Sequence, residues 1–279
     1  MLVSLRELLP AASRSSYAVP AFNVFGYEDA FLVVKVAEQE NKPVILLCNK
    51  DCVNHMPVEV LGPMLRQIGL SVKVPVCVHL DHCQDEDLLL RAAQSGFTSV
   101  MYDGSHFPIE ENISRTKAAV KLMHKYNVTV EGEVGSIPYS HASPAKMEFT
   151  DPDEVERFCK ETSVDAVAIS IGNIHRQEVQ KAHINFDLLA TIEEKVSTPL
   201  VIHGTSGIHD EDLKKLSASQ VAKFNIGTCL RQAFGGHLRG FMNEEPEKFD
   251  RLYFYKKVMK ACEPVVKAKF DLLSGNTSA

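Results

Sequence analysis

The sequence predicts an α/β fold of the closed (β/α)8, or TIM-barrel, class, and three observations point there. Short apolar runs rich in β-branched residues recur eight times along the chain. Segments that repeat apolar residues at three and four separate them, as crossover helices do. Successive runs start about 22 to 40 residues apart, a spacing that suits parallel strands joined by right-handed crossovers. No shift in composition marks a second domain, so residues 1–279 are read as one barrel domain with a helical segment from about residue 245. An open doubly wound sheet is the runner-up, but its G-x-G-x-x-G fingerprint is missing after the first run.

The chain starts Met1-Leu-Val-Ser-Leu-Arg6-Glu7-Leu-Leu, where two charges interrupt the apolar stretch, so it reads as a short helix and not as a secretory signal. The first strand run is Tyr17 to Val24, followed by a helix over Glu28 to Asn41 with Ala30, Val33, Val34 and Ala37 on one face. Pro43 to Cys48 is the second run and Val74 to Leu80 the third, with helical period from Glu86 to Gly96. Ser99 to Asp103 leads into the helix Glu111 to Tyr126, and Val128 to Val134 is the fifth run. The last three are Ala166 to Gly172, Pro199 to His203 and Ala222 to Ile226.

Composition excludes several functions. Thirty Lys and Arg stand against thirty-six Asp and Glu, a net charge of −6, and no basic run exceeds two residues, which disfavours a nucleic-acid coat. Nowhere do eighteen uncharged apolar residues follow one another, so no membrane span is expected. The seven cysteines are odd in number and contain no C-x-x-C pair, which indicates neither a disulfide framework nor a zinc ribbon. A reducing cytoplasm is the expected location, with most thiols acting as small core hydrophobes.

In a (β/α)8 barrel the active site lies at the C-terminal strand ends, and here these ends are rich in reactive side chains. They read His79-Leu-Asp81-His82, Asp103-Gly-Ser105, Glu131-Gly-Glu133-Val-Gly135, Gly172-Asn-Ile-His175, His203-Gly-Thr-Ser206-Gly207 and Asn225-Ile-Gly227-Thr228. Three imidazoles around a divalent ion, with a fourth position open, form the catalytic pattern for Zn²⁺. His82, His175 and His203 are the candidate ligands. A single histidine at a strand end is more often a hydrogen-bonded core residue, but three converging on one face outweigh that reading. His79 lies three residues before His82, so strand alternation does not place both on one metal. His55, His106, His124, His141, His183, His209 and His237 have no such companions and are read as structural or solvated. The glycines with Ser206 and Thr228 at the last two strand ends suit an anion nest, hence a phosphorylated substrate.

These residues resemble the class II, metal-dependent ketose-bisphosphate aldolases, particularly the tagatose- and fructose-bisphosphate branch, over essentially the whole chain. The motifs that carry the resemblance are Ala21-Phe-Asn23-Val24, Val78 to His82, Asp103-Gly-Ser-His-Phe-Pro108 with Glu111-Asn112, Glu131 to Gly135, Pro199 to Gly204 and Asn225 to Thr228. The resemblance implies a metal held by His82, His175 and His203, and Asp81 as catalytic acid/base. It also implies Asp103 and Glu133 at an alternative or second cation position, divalent or monovalent. Gly204, Ser206, Asn225 and Thr228 would hold the dihydroxyacetone phosphate half, and Asn23 and Gly172 belong to the same substrate-binding set. Three departures stand out. Arg176 replaces the glycine that usually follows the ligand histidine, either losing a phosphate contact or supplying a guanidinium in its place. The stretch Ser136 to Met147 after strand five lacks the usual acidic residues, with Tyr139, Ser140, His141 and Ser143 in their stead. Near the C-terminus, where a neighbouring subunit usually contributes an arginine to the distal phosphate, the chain offers Lys256 and Lys257.

The expected function is therefore reversible cleavage of a phosphorylated ketose, a 1-phosphate or 1,6-bisphosphate, to dihydroxyacetone phosphate and an aldehyde, by a homodimer or homotetramer. Three rivals remain: an aldolase for a modified sugar such as a deoxy sugar acid or sulfosugar phosphate, a metallohydrolase on the same fold, and a degenerate barrel that only binds sugar phosphates.

Overall fold

A computed structural model describes residues 1–138 and 148–274. Eight parallel strands close into a barrel in chain order, with the last pairing the first. They are β1 (Val19–Asn23), β2 (Val44–Cys48), β3 (Val76–Cys83), β4 (Ser99–Tyr102), β5 (Thr129–Val134), β6 (Ala166–Ile169), β7 (Leu200–Ile202) and β8 (Val221–Ile226). The helices are α1 (Leu5–Ser13), α2 (Tyr27–Gln39), α3 (Lys50–His55), α4 (Val58–Leu70), α5 (Glu86–Gln94), α6 (Ile109–His124), α7 (Pro152–Thr162), α8 (Phe186–Lys195), α9 (Asp210–Ser217), α10 (Thr228–Glu244) and α11 (Arg251–Leu273). The open doubly wound alternative is overturned by the β1–β8 pairing, which leaves no sheet edge.

Strand alternation sorts the core in two. Phe22, Leu46, Val78, Val100, Val130, Val167 and Phe224 face outward into the layer beneath the helices. Val19, Ala21, Ile45, Leu47, Cys77, Ala166, Ala168 and Val201 fill the lumen. The N-terminal end of that lumen is sealed by α1, whose Leu5, Leu8, Leu9 and Ala12 pack onto the inner set. Glu7 fixes the start of this plug by accepting from the Ser4 N–H at 2.7 Å.

Crossover helices begin where short polar side chains stop the strand-to-helix loops. Asp85 accepts from Asp87 N at 2.9 Å at the start of α5, and Asp151 caps α7 ahead of Pro152. At the C-terminus α10 and α11 pack together, and α11 also lies against α2. Its face Phe254, Val258, Cys262, Val266 and Phe270 repeats every four residues and is buried, each large side chain contributing about 1.5 to 3 kcal/mol of transfer free energy. Phe270 reaches β1, with its ring 5.9 Å from that of Phe22.

All seven cysteines are unpaired, with Cys48, Cys52, Cys77, Cys83 and Cys262 buried as core residues. No helix among the described residues is long and apolar enough to cross a membrane.

Candidate active site

The third strand runs three residues further than its apolar pattern suggests. Its pairing with β4 slips between Leu80 and Cys83, and His82 takes a left-handed backbone conformation at φ 51°. The slip breaks the two-residue alternation, so the adjacent Asp81 and His82 both line the cleft. His79 instead points into the lumen, where its Nδ1 lies 2.8 Å from Ser99 Oγ.

His82, His175 and His203 come together from β3, the β6–α8 loop and the end of β7, with ring centroids 4.8 to 5.5 Å apart. Each has one ligand nitrogen within 4.8 Å of the others. Carboxylates set two of the rings. His82 Nδ1 donates to Asp103 Oδ2 at 2.9 Å, while Asp103 Oδ1 accepts from the Ser105 hydroxyl at 2.7 Å. His203 Nε2 donates to Glu131 Oε1 at 2.9 Å, and Glu131 Oε2 accepts from Lys223 Nζ at 2.7 Å. Those bonds leave His82 Nε2 and His203 Nδ1 buried with no hydrogen-bond partner. Buried polar nitrogens without partners are costly unless something else satisfies them. His175 is positioned by its loop: its N–H donates to the Pro138 carbonyl at 2.9 Å, and Asn173 ties the same loop to β7 by donating to the His203 carbonyl at 3.1 Å.

Electrostatics sharpen the picture. Burial, helped by the charge of His82, holds His175 and His203 well below the ordinary imidazole pKa, so both are neutral donors of lone pairs. Burial pulls His82 the same way, but the Asp81, Asp103 and Glu133 carboxylates outweigh it and raise His82 to about 10. Burial pushes Glu133 well above the usual carboxylate range, reinforced by the negative charge of Asp103. The set fits a divalent metal: three imidazoles, two with unsatisfied buried nitrogens, and carboxylates behind two rings as metal histidines require. His82, Asp103 and Glu133 form a second group of ligand atoms within 4.8 Å. Glu133 brings an unpartnered Oε2 to it, whereas both oxygens of Asp103 already accept hydrogen bonds.

Asp81 stands beside these rings, 4% exposed. Asn225 Nδ2 donates to its Oδ1 at 3.1 Å and Asn23 Nδ2 to its Oδ2 at 3.3 Å, so two amides fix the carboxylate. Across the cleft lie Gly204, Ser206 and Thr228, the last opening α10. Gly204 has φ 69°, and a Cβ there would sit 2.3 Å from the Ile174 carbonyl, so only glycine allows this close approach.

Arg176 also lines the cleft, at φ 56°, a conformation glycine adopts freely and other residues rarely. Its guanidinium reaches across the rim and donates to Asp51 Oδ2 at 2.9 Å, and Arg231 approaches the same carboxylate at 3.9 Å. Two expected site residues are not brought here. Gly172 is not among the cleft residues; it is buried at φ 113°, where a Cβ would meet the His183 carbonyl at 2.0 Å, so the packing there requires glycine. Lys256 sits on the exposed side of α11 and is not among the cleft residues of its own chain. Of the acid-free stretch after β5, residues 139–147, which include Tyr139, Ser140, His141 and Ser143, lie outside the described residues.

Sequence reasoning missed the cleft residues Asn49, Lys50, Asp51 and Arg231, which loops and the first turns of helices deliver. It also passed over Lys223, although a lone charge in the apolar run Val221-Ala-Lys-Phe-Asn-Ile was a usable signal. Asn112 proves architectural: it donates to the Glu133 carbonyl at 2.9 Å and so fixes β5 at the site.

A family model described as fructose-bisphosphate aldolase class-II matches residues 3–277. The YdjI aldolase from Escherichia coli K12 is 31% identical, superposes with a TM-score of 0.86 and is covered in full, as is this chain. The fructose-bisphosphate aldolase Fba from Campylobacter jejuni is 20% identical, with a TM-score of 0.83 over 98% of this chain and 95% of that one, a likeness of fold. Since the family match runs through every strand that delivers a cleft residue, the chain belongs to the class II fructose-bisphosphate aldolase family and is an aldolase, a carbon–carbon lyase.

Proposed function

We propose that this aldolase reversibly cleaves a phosphorylated ketose to dihydroxyacetone phosphate and an aldehyde, with Zn²⁺ held by His82, His175 and His203. The observation that carries the reading is the pair of buried, unpartnered nitrogens, His82 Nε2 and His203 Nδ1, beside the fixed carboxylate of Asp81. A divalent ion at those nitrogens would supply Lewis-acid polarisation of the substrate carbonyl, worth several kcal/mol. Asp81 takes the C4 hydroxyl proton as the C3–C4 bond breaks, and returns it in the condensation direction. Asn23 and Asn225 keep that carboxylate aimed, because each oxygen is already committed to one amide. The electron pair of the broken bond passes into the enediolate of the three-carbon fragment, which then takes a proton at C3, in net terms the one that left the C4 hydroxyl, to become dihydroxyacetone phosphate.

The phosphate of that fragment fits the wall of Gly204, Ser206 and Thr228, where backbone N–H groups, two hydroxyls and the N-terminus of the seventeen-residue α10 favour an anion. Asp103 serves chiefly to orient His82, and Glu133 with its unpartnered oxygen is the group for a second cation. The cations Arg176, Arg231 and Lys50 on the outer wall favour an aldehyde with an anionic end, whether phosphate, carboxylate or sulfonate. Met242, Phe249 and Leu252, exposed around the α10–α11 turn, support assembly as a homodimer or homotetramer, and the unpaired thiols support a reducing cytoplasm.

The test is dihydroxyacetone phosphate release from a panel of ketose phosphates, alongside metal analysis of the purified protein. A metallohydrolase would release inorganic phosphate or another hydrolysis product with no three-carbon ketone, and a binding-only barrel would release nothing.

A further inference from the structure

Below the three imidazoles the lumen carries charge where closed barrels ordinarily stack branched aliphatic side chains. Lys223 on β8 and Glu131 on β5 are both fully buried, and β6 and β7 separate their strands, so the lysine stem crosses the lumen to reach its partner. The bond from Lys223 Nζ to Glu131 Oε2 measures 2.7 Å. The other carboxylate oxygen holds His203 Nε2 at 2.9 Å, and the opposite nitrogen of that ring, Nδ1, is the unpartnered one that converges with His82 and His175. His79 Nε2 stands 3.9 Å from Glu131 Oε2, beyond hydrogen-bond reach.

Barrel stability does not account for this pair. Replacing a buried ion pair by apolar residues of similar volume is often neutral or stabilising. What the pair does account for is the ring orientation of His203. A carboxylate that accepts from Nε2–H keeps that proton on Nε2 and leaves the Nδ1 lone pair for a metal. Glu131 could rotate on its own stem, but the bond to Lys223 clamps its second oxygen.

We infer that Lys223 is a positioning residue of the metal site, clamping Glu131 so that His203 presents Nδ1 to the ion. The inference rests on the metal reading proposed above. The experiment compares wild type with Lys223→Met, the double variant Lys223→Met/Glu131→Gln, and His203→Ala. Zinc affinity is read by competition with a chromophoric chelator, and the ligand field by the visible d–d spectrum of the cobalt(II)-loaded protein. Lys223→Met is expected to weaken zinc binding by about 10- to 100-fold and to shift the cobalt bands, since outer partners of metal ligands carry effects of that size. The double variant removes both buried charges while its amide still accepts from His203, and is expected to lose roughly tenfold with altered bands. It decides the matter where Lys223→Met alone does not fold. Wild-type zinc affinity and an unchanged cobalt spectrum in either folded variant would overturn the inference alone. A wild-type protein that takes up no zinc, or a His203→Ala variant that binds it as tightly, would overturn the metal reading and this inference with it.

Discussion

Replacing Asp81 by Ala probes the proposed proton transfer at its source. The carboxylate is buried and adjacent in sequence to a proposed metal ligand, yet its own oxygens accept hydrogen bonds from the amides of Asn23 and Asn225. Truncation therefore removes the base without removing a ligand. It releases two amide donors into a cleft that water can enter, a loss of about 1 to 2 kcal/mol in stability. Loss of one general acid/base slows a reaction by roughly 10² to 10⁴. At 1.36 kcal/mol per decade this is about 3 to 5 kcal/mol of transition-state stabilisation. The assay couples dihydroxyacetone phosphate to a dehydrogenase and reads kcat and KM separately, with zinc content measured on the same sample. The expected outcome is a fall in kcat at unchanged zinc content. Parallel loss of zinc and activity would make Asp81 a structural support of the metal, and a fall in kcat of less than tenfold would remove it from the proton path.

Three further outcomes follow from the same geometry. Single replacements of His82, His175 and His203 by Ala should each strip zinc from the purified protein, and full metal content in all three would sink the ligand assignment. Metal-free protein should lose stability as pH rises, because His82 has a pKa raised from 6.5 to about 10: that contribution is complete below 6.5 and disappears as pH climbs through 10. Denaturant titrations with and without zinc would show the trend in the metal-free form alone, and a flat metal-free profile between those limits would contradict it. Arg176 can be read in two ways at once. Arg176→Gly should be about 1 kcal/mol more stable than Arg176→Ala because the position sits at φ 56°, visible as a melting difference of about 2 °C. Both should lower kcat/KM at least tenfold on substrates with a charged aldehyde half, as expected for loss of a charge-assisted hydrogen bond of roughly 1.5 to 3 kcal/mol. Equal losses on neutral aldehydes would move Arg176 to the dihydroxyacetone phosphate end, and changes below about threefold would return it to a surface ion pair with Asp51.

The barrel was legible because each buried parallel strand must be apolar on both faces, which leaves runs such as Val44 to Cys48 with little ambiguity. The strand ends were legible for the same reason: His203 and Asn225 follow or close apolar runs, where side chains must face the cleft. The slip in β3 was not. Nothing in His79-Leu-Asp-His82 states that the backbone turns left-handed at His82, so alternation could separate His79 from His82 without revealing how Asp81 and His82 come to share one cleft. The sequence comparison of Arg176 with a family glycine located an unusual residue, and the positive φ now supplies the reason for glycine there. Its ion pair with Asp51 joins the β6–α8 loop to the first turn of α3, 125 residues away in sequence, a contact no local pattern encodes. Gly172, a strand-end glycine expected as a substrate contact, has a reason for glycine that the sequence did not state, since a Cβ there would meet the His183 carbonyl.

Metal-dependent cleavage of a phosphorylated ketose can be settled by one titration. Purified protein is stripped with a chelator, supplied with ketose 1-phosphates and 1,6-bisphosphates, and assayed for dihydroxyacetone phosphate as zinc is returned stepwise. The expected result is no release without metal and, on at least one of these substrates, release that rises with zinc and saturates near one ion per chain. Release that persists undiminished in the stripped protein, or none from any phosphorylated ketose at saturating zinc, would contradict it.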